Sequence, residues 1–177
     1  MRWAKGSFWL STGGRLYRWD GTGWQTPLET AAGLGEIWGT APGNFWATGN
    51  SKLAKWNGST WVLTSFPEPF TKLYISRGPS DESLAMLDGW VYRWDGTAWV
   101  KTTLKSMNSL ARAWDGFSSG KQHWICPEPW TMSFWDGTAW TSTALPAGCG
   151  TIWGTEDGVI RTVSVEGILR RQYPVGP

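Results

Sequence analysis

The sequence predicts an all-β fold assembled from small, repeated antiparallel sheets, and three observations carry the prediction. A six-residue phrase, Trp-Asp/Asn-Gly-Ser/Thr-x-Trp, occurs four times in 177 residues. The first tryptophans of the copies are 37, 38 and 41 residues apart, a period that marks a repeat architecture. No stretch shows a 3.6-residue apolar period, and Gly, Pro, Asn and Asp punctuate short apolar segments instead.

The copies are Trp19-Asp20-Gly21-Thr22-Gly23-Trp24, Trp56-Asn57-Gly58-Ser59-Thr60-Trp61, Trp94-Asp95-Gly96-Thr97-Ala98-Trp99 and Trp135-Asp136-Gly137-Thr138-Ala139-Trp140. Three positions before each first Trp stands an apolar residue: Leu16, Leu53, Val91 or Met132. Ten or eleven before it stands a bulky one: Trp9, Trp46, Leu84 or Trp124. The phrase Ile37-Trp38-Gly39-Thr40 returns as Ile152-Trp153-Gly154-Thr155, which opens a fifth repeat whose turn motif has degenerated. In repeat two the four strands are expected near Glu36–Thr40, Asn44–Thr48, Lys52–Trp56 and Thr60–Thr64.

Asp-Gly or Asn-Gly between apolar flanks is a strong hairpin signal, because a type I′ turn needs positive φ at both central residues. A two-residue turn at Asp20-Gly21 would set Trp19 opposite Thr22 and Tyr17 opposite Trp24. The same register pairs Ala54 with Trp61, Tyr92 with Trp99 and Ser133 with Trp140, leaving the two motif tryptophans diagonal to each other. Leu16, Leu53, Val91 and Met132 then lie on the other face. A sheet apolar on both faces needs cover on both, and radially stacked sheets provide it. The expected fold is a five-bladed β-propeller in one domain, residues 1–177, with blades near 1–31, 32–69, 70–107, 108–147 and 148–177. Blade five lacks an obvious last strand. Met1–Lys5 is expected to be the first strand of blade one, or else to complete blade five beside Ile168–Arg171; an open ring completed by another chain is the competing arrangement.

The run Ile37-Trp38-Gly39-Thr40, Asn44-Phe45-Trp46-Ala47-Thr48-Gly49 and Trp56-Asn57-Gly58-Ser59-Thr60-Trp61 resembles the Trp-rich propeller repeats of bacterial and bacteriophage proteins. The resemblance spans the chain as a pattern and is best in repeat two. Repeats three and four depart from it in their first strand, at Leu73-Tyr74-Ile75-Ser76 and Ala113-Trp114-Asp115. The resemblance implies an interaction module and assigns no ligand. A weaker likeness, of blade number alone, links the chain to tachylectin-like lectins. Asp-Gly-Thr-x-Trp is also similar to the Asp-box of sialidases, with a spacing one residue shorter; that implies shared hairpin chemistry only.

Composition excludes several function classes. Sixteen basic and 14 acidic residues give a net charge of +2 with no basic stripe beyond Arg170-Arg171, so no nucleic-acid partner is expected. No run of 18 apolar residues exists for a membrane span, and Met1–Gly6 lacks a signal-peptide apolar core. The expected location is therefore cytoplasmic at synthesis and virion-associated afterwards. Cys126 and Cys149 read as two separate reduced thiols, and with one histidine, His123, no metal site and no cofactor are expected. His123 reads as a polar residue at a strand end. The carboxylates Asp20, Asp95 and Asp136 read as turn formers, since Asn57 takes the same slot. Asp81-Glu82 and Glu156-Asp157 read as solvated loop charge. No catalytic residues are expected, and enzyme activity is the weakest of the functional readings.

Residues that break the repeat are the candidates for ligand binding. Trp90 and Trp130 stand in connections between second and third strands, within Asp88-Gly89-Trp90 and Pro127-Glu128-Pro129-Trp130. An exposed indole beside Asp88 or Glu128 suits a sugar, whose C–H face stacks on the ring while the acid accepts hydroxyl hydrogen bonds. The same pair suits a protein contact, and ordinary packing competes with both. Arg15, Asn50 and Lys52 are secondary candidates on that face. The expected function is non-enzymatic recognition of a surface glycan or host receptor, as part of a phage tail or spike. The alternative is a purely structural virion component, as an oligomer or assembly subunit.

Overall fold

The computed structural model describes residues 2–4, 7–12, 14–25, 33–41, 44–76, 82–105, 115–146, 148–155, 159–164 and 167–172. Asp81, Trp114, Glu156 and Asp157, and the side chains of Trp3, Arg170 and Arg171, lie outside the described residues. The described elements are all β, and the chain divides into two compact units, Met1–Leu73 and Tyr74–Pro177.

The first unit holds two four-stranded antiparallel sheets, each formed by strands in chain order. Sheet one comprises β1 (Arg2–Ala4), β2 (Ser7–Thr12), β3 (Arg15–Trp19) and β4 (Trp24–Gln25). The N-terminal segment is thus the first strand of the first sheet, with Arg2 opposite Trp9 and Ala4 opposite Ser7. Sheet two comprises β5 (Glu36–Ala41), β6 (Asn44–Gly49), β7 (Lys52–Trp56) and β8 (Trp61–Leu63), close to the strands read from the repeat. The facing surfaces of the two sheets share one core. Trp9 meets Trp56 and Trp61 edge-on at centroid distances of 4.8 and 5.2 Å, and Phe45, Ile37 and Leu16 close around it. Gly39 lies opposite Phe45, and a Cβ there would stand 2.6 Å from the Phe45 ring. The glycine of the Ile-Trp-Gly-Thr phrase therefore makes room for an aromatic ring. Gly154 repeats the arrangement, where a Cβ would collide with Ile160 and Phe117.

The second unit holds β9 (Tyr74–Ile75), β10 (Leu84–Leu87), β11 (Trp90–Trp94) and β12 (Trp99–Lys105) in one sheet. The next is formed by β13 (Gly116–Ser119), β14 (Gln122–Glu128), β15 (Thr131–Trp135) and β16 (Trp140–Ala144). Its first strand begins at Gly116, just after the Ala113-Trp114-Asp115 stretch expected to form it. The last sheet has three strands among the described residues, β17 (Thr151–Gly154), β18 (Val159–Ser164) and β19 (Gly167–Gln172). Ile125 packs with Leu84, Met86 and Val91, joining the unit's first two sheets. Trp124, Met132, Ile152 and Ile160 join the second to the third. Leu16, Leu53, Val91 and Met132 are all buried, each contributing about 1.5–3 kcal/mol by leaving water. Trp153, in the recurring Ile-Trp-Gly-Thr phrase, is 37 % exposed.

The turn motif corrects the expected register. Trp19 lies directly opposite Trp24, Trp56 opposite Trp61, Trp94 opposite Trp99 and Trp135 opposite Trp140, so each loop has four residues. Only the glycine takes positive φ, at 103–107° in the four copies. The residue before it works through its side chain. Asp95 Oδ1 accepts from Thr97 N–H, Ala98 N–H and the Thr97 hydroxyl at 2.8–2.9 Å. Asn57 Oδ1 makes the same set with Ser59 and Thr60, so an amide oxygen serves as well as a carboxylate. Closing the loop this way brings the indoles together at interplanar angles of 49–64°, with centroids 5.5–5.7 Å apart in all four copies. Such pairs add about 0.5–1.5 kcal/mol beyond burial.

Candidate recognition site

Trp130 occupies a two-residue turn, Pro129-Trp130, between Glu128 at the end of β14 and Thr131 at the start of β15. Between Ile125 and Glu128 the register shifts by one residue, placing Pro127, which has no N–H to give a ladder, inside the irregularity. The turn is held from outside as well. Leu145 N–H donates to the Trp130 carbonyl at 2.8 Å, and Cys149 N–H donates to the Pro129 carbonyl. Cys126 and Cys149 form a disulfide, with Cα atoms 5.7 Å apart, across the base of the turn. The expectation of two separate thiols is therefore corrected: the backbone bond at Cys149 returns the chain to the Pro129 turn and brings the sulfurs within bridging reach. With its backbone tied down, the Trp130 side chain stands 52 % exposed. Glu128, its acidic neighbour, is half-buried.

Trp90 differs from the open platform expected of it. It opens β11 and is half-buried, with Lys101 Nζ 4.3 Å and Lys105 Nζ 4.9 Å from its ring centroid. Two ammonium groups cover the ring to which a neutral sugar would stack. The cause is an irregularity in β12: Tyr92 lies opposite Lys101 but Trp90 lies opposite Lys105, so three residues of β11 face five of β12. Thr102 fixes the arch, its hydroxyl donating to the Val91 carbonyl at 2.9 Å while its oxygen accepts from Leu104 N–H at 3.2 Å. Neither lysine is legible as a site residue in the sequence; the extra length of repeat three's last strand is the only signal. Asp88 and Gly89 form the preceding turn with φ of 47° and 84°, so Asp88 is exposed and already has a conformational role there.

The remaining candidates lie in the first unit. Arg15 and Lys52 open β3 and β7 and are exposed. Asn50 and Ser51 both take positive φ, 48° and 58°, which is the type I′ requirement, so Asn50 serves the turn.

A hydrogen-bonded line of side chains crosses from β9 to β14 and β11. Leu84 N–H donates to Ser76 Oγ at 2.9 Å, Ser76 and Ser118 hydroxyls share a 2.8 Å bond, and Ser118 lies 2.8 Å from His123 Nδ1. His123 Nε2 reaches Glu82 Oε2 at 3.4 Å, which also accepts from Arg93 Nη1 at 3.2 Å. His123, the second residue of β14, is buried, and Glu82 is not loose loop charge; the expectation for Glu82 is corrected by this packing. The carboxylate requires the proton on Nε2, so Nδ1 accepts from Ser118 and the line runs with one direction of donation. Burial pushes the His123 imidazolium pKa down, and the histidine hydrogen bond holds the Glu82 carboxyl below its ordinary value. A serine, a histidine and a glutamate in line form a nucleophile–base–acid set by type. Ser118 and His123 are wholly buried, however, and Ser118 is also bonded to Ser76, so the line joins two sheets and presents no nucleophile to solvent. Among the described residues, no group of three or more His, Cys, Asp or Glu could hold a metal ion.

No protein-family model and no curated protein matches the chain. Solved structures match its fold. PorZ, an essential bacterial surface component of the type-IX secretion system of Porphyromonas gingivalis, superposes with a TM-score of 0.64 at 15 % identity, over 99 % of this chain and 24 % of PorZ. YCF48 bound to D1 peptide gives 0.63 at 16 % identity, over 97 % of this chain and 62 % of the other. BamB from Moraxella catarrhalis gives 0.60 at 10 % identity, over 93 % and 53 %. The chain thus spans less than two thirds of each of these proteins. Identities this low speak to fold alone, and the fold they share with this chain is the β-propeller.

Proposed function

We propose that the protein is a non-enzymatic recognition module that binds a surface glycan, with Trp130 as the stacking platform. The observation that carries this reading is an indole 52 % exposed on a turn tied by two backbone hydrogen bonds and a disulfide. A fixed aromatic ring loses little conformational freedom on binding, and its face matches the C–H face of a pyranose. Glu128 is placed beside it in sequence to accept a hydroxyl. A disulfide also suits a protein that works in an oxidising environment, as a surface-recognition part would. The resemblance of the repeats to those of bacterial and bacteriophage proteins extends the reading to a virion tail or spike. The test is a glycan array followed by calorimetry on the best ligand. Trp130→Ala should weaken that binding at least tenfold while leaving the melting temperature near that of the parent. An array silent for the parent protein sinks the reading.

A specific observation favours a second reading, assembly with other protein subunits. Val62 and Leu63 on β8, at the edge of sheet two, are 46 % and 56 % exposed. Apolar residues on an edge strand suit lateral protein contact. Concentration-dependent oligomers in light scattering, lost in Leu63→Lys, would support it.

A further inference from the structure

The four indole pairs of the turn motif are built alike but covered unequally. Trp61 and Trp99, the second members of pairs two and three, are each 4 % exposed, whereas Trp24, the second member of pair one, is 47 % exposed. How a pair is covered can be seen twice. On sheet one Trp9 stands directly opposite Arg18, and the two close over the pair of sheet two. Trp9 meets both indoles edge-on, and the Arg18 guanidinium carbon lies 5.5 Å from the Trp56 centroid. On β10 and β11 Leu84 stands directly opposite Arg93, and these two serve the pair of the sheet that follows. The Arg93 guanidinium carbon lies 5.9 Å from the Trp135 centroid, and Trp140 packs against the buried cluster that contains Leu84. The cover is one chemical unit used twice: a bulky apolar side chain on one strand and an arginine directly across from it on the next.

Trp19 and Trp24 present the surface that receives such a unit. Their ring centroids are 5.7 Å apart at an interplanar angle of 64°, against 5.7 Å and 58° for Trp56 and Trp61. The ladder beneath is also the same, with Trp19 opposite Trp24 as Trp56 is opposite Trp61. Pair two takes its cover from the sheet before it, and sheet one is the first sheet of the unit Met1–Leu73. Two adjoining indoles, one of them half in water, leave apolar area to bury and electron-rich ring faces that attract a cation. A guanidinium suits those faces better than an ammonium, because its plane stacks on the ring and it sheds water more readily. We propose that Trp19 and Trp24 form a docking site for a protein partner that presents a bulky apolar side chain and an arginine at directly opposite positions of two adjacent strands. The inference uses other residues than the Trp130 reading and stands or falls without it.

The probe is a cyclised β-hairpin peptide with Trp and Arg at directly opposite positions, as Trp9 and Arg18 stand, titrated into the full chain by calorimetry. The expected result is saturable binding that weakens about fivefold or more when citrulline, which keeps the shape and loses the charge, replaces the arginine. That comparison leaves the protein intact, so a damaged fold cannot mimic it. Trp24→Ala should abolish the binding, and Trp130→Ala should leave it unchanged. Equal binding of the arginine and citrulline hairpins overturns the guanidinium assignment. No binding, or binding kept in Trp24→Ala and lost in Trp130→Ala, overturns the docking site. Self-association of the parent in light scattering, lost in Trp24→Ala, overturns a foreign partner in favour of a second copy of this chain.

Discussion

Asp20, Asp95, Asp136 and Asn57 do the same work with different charges, which fixes what the slot requires. The side-chain oxygen accepts two backbone N–H groups and a hydroxyl, closing a four-residue loop in which glycine alone bears positive φ. Asp95→Asn should therefore melt close to the parent protein, whereas Asp95→Ala, which strands three donors in an exposed loop, should lower the melting temperature. The backbone hydrogen bonds hold the Asp95 carboxyl below its ordinary value of 3.8. A carboxyl depressed in the folded state contributes stability above its unfolded pKa and loses it as pH falls through the folded value. The Asp95→Ala deficit should accordingly be full at neutral pH and shrink below pH 3.8, whereas the Asn57 loop should show no such dependence. Thermal melts of the variants between pH 7 and pH 3 check both statements.

Strands and connections differ in how much of them the sequence reveals. Strands of repeat two are legible within about a residue because Trp46, Leu53, Trp56 and Trp61 hold recurring slots of the repeat, and all four are buried. Loop length is not: a two-residue and a four-residue turn share the Asp-Gly signal, and the choice depends on whether the side-chain oxygen can reach the N–H groups two and three residues on. Pairing of Cys126 with Cys149 depends on how the chain after β16 returns to the Pro129 turn, which no local pattern encodes. The lysines over Trp90 were hidden for the same reason, since the arch in β12 shifts the register after Lys101. The exposure of Trp130, by contrast, is legible because the residue breaks the repeat in a turn between two strands. The disulfide makes the turn testable as an element. Closing a loop with sequence separation 23 should stabilise by about 3 kcal/mol in the chain-entropy account. Cys126→Ser with Cys149→Ser should lose stability of that order in urea unfolding. The parent should show no free thiol to Ellman's reagent until it is reduced and unfolded.

Across the unit Tyr74–Pro177, stability depends on the buried line from Ser76 through Ser118 and His123 to Glu82 and Arg93. Each member is satisfied only if His123 is neutral with its proton on Nε2. Burial depresses the folded-state pKa of His123 below its ordinary 6.5, so below that pH the unfolded chain takes up a proton that the folded chain refuses. Unfolding is then favoured as pH falls. Glu82, also depressed, acts in the same direction from about pH 4.5 downwards, where the unfolded carboxyl protonates first. The charged groups facing His123 are Glu82 and Arg93, of which the first opposes the depression and the second adds to it. Stability should therefore be flat between pH 8 and pH 7, fall as pH drops below 6.5, and fall again below 4.5. His123→Gln keeps an amide for Ser118 and Glu82 but cannot titrate. It should cost about 1–3 kcal/mol at pH 8 through imperfect hydrogen bonds. It should also abolish the loss between pH 6.5 and pH 4.5 while leaving the lower one in place. Urea unfolding at half-unit pH steps reads both effects; a parent curve with no slope between pH 6.5 and pH 5 would mean that the imidazole is protonated in the folded protein, and the direction of donation assigned to the line would be wrong.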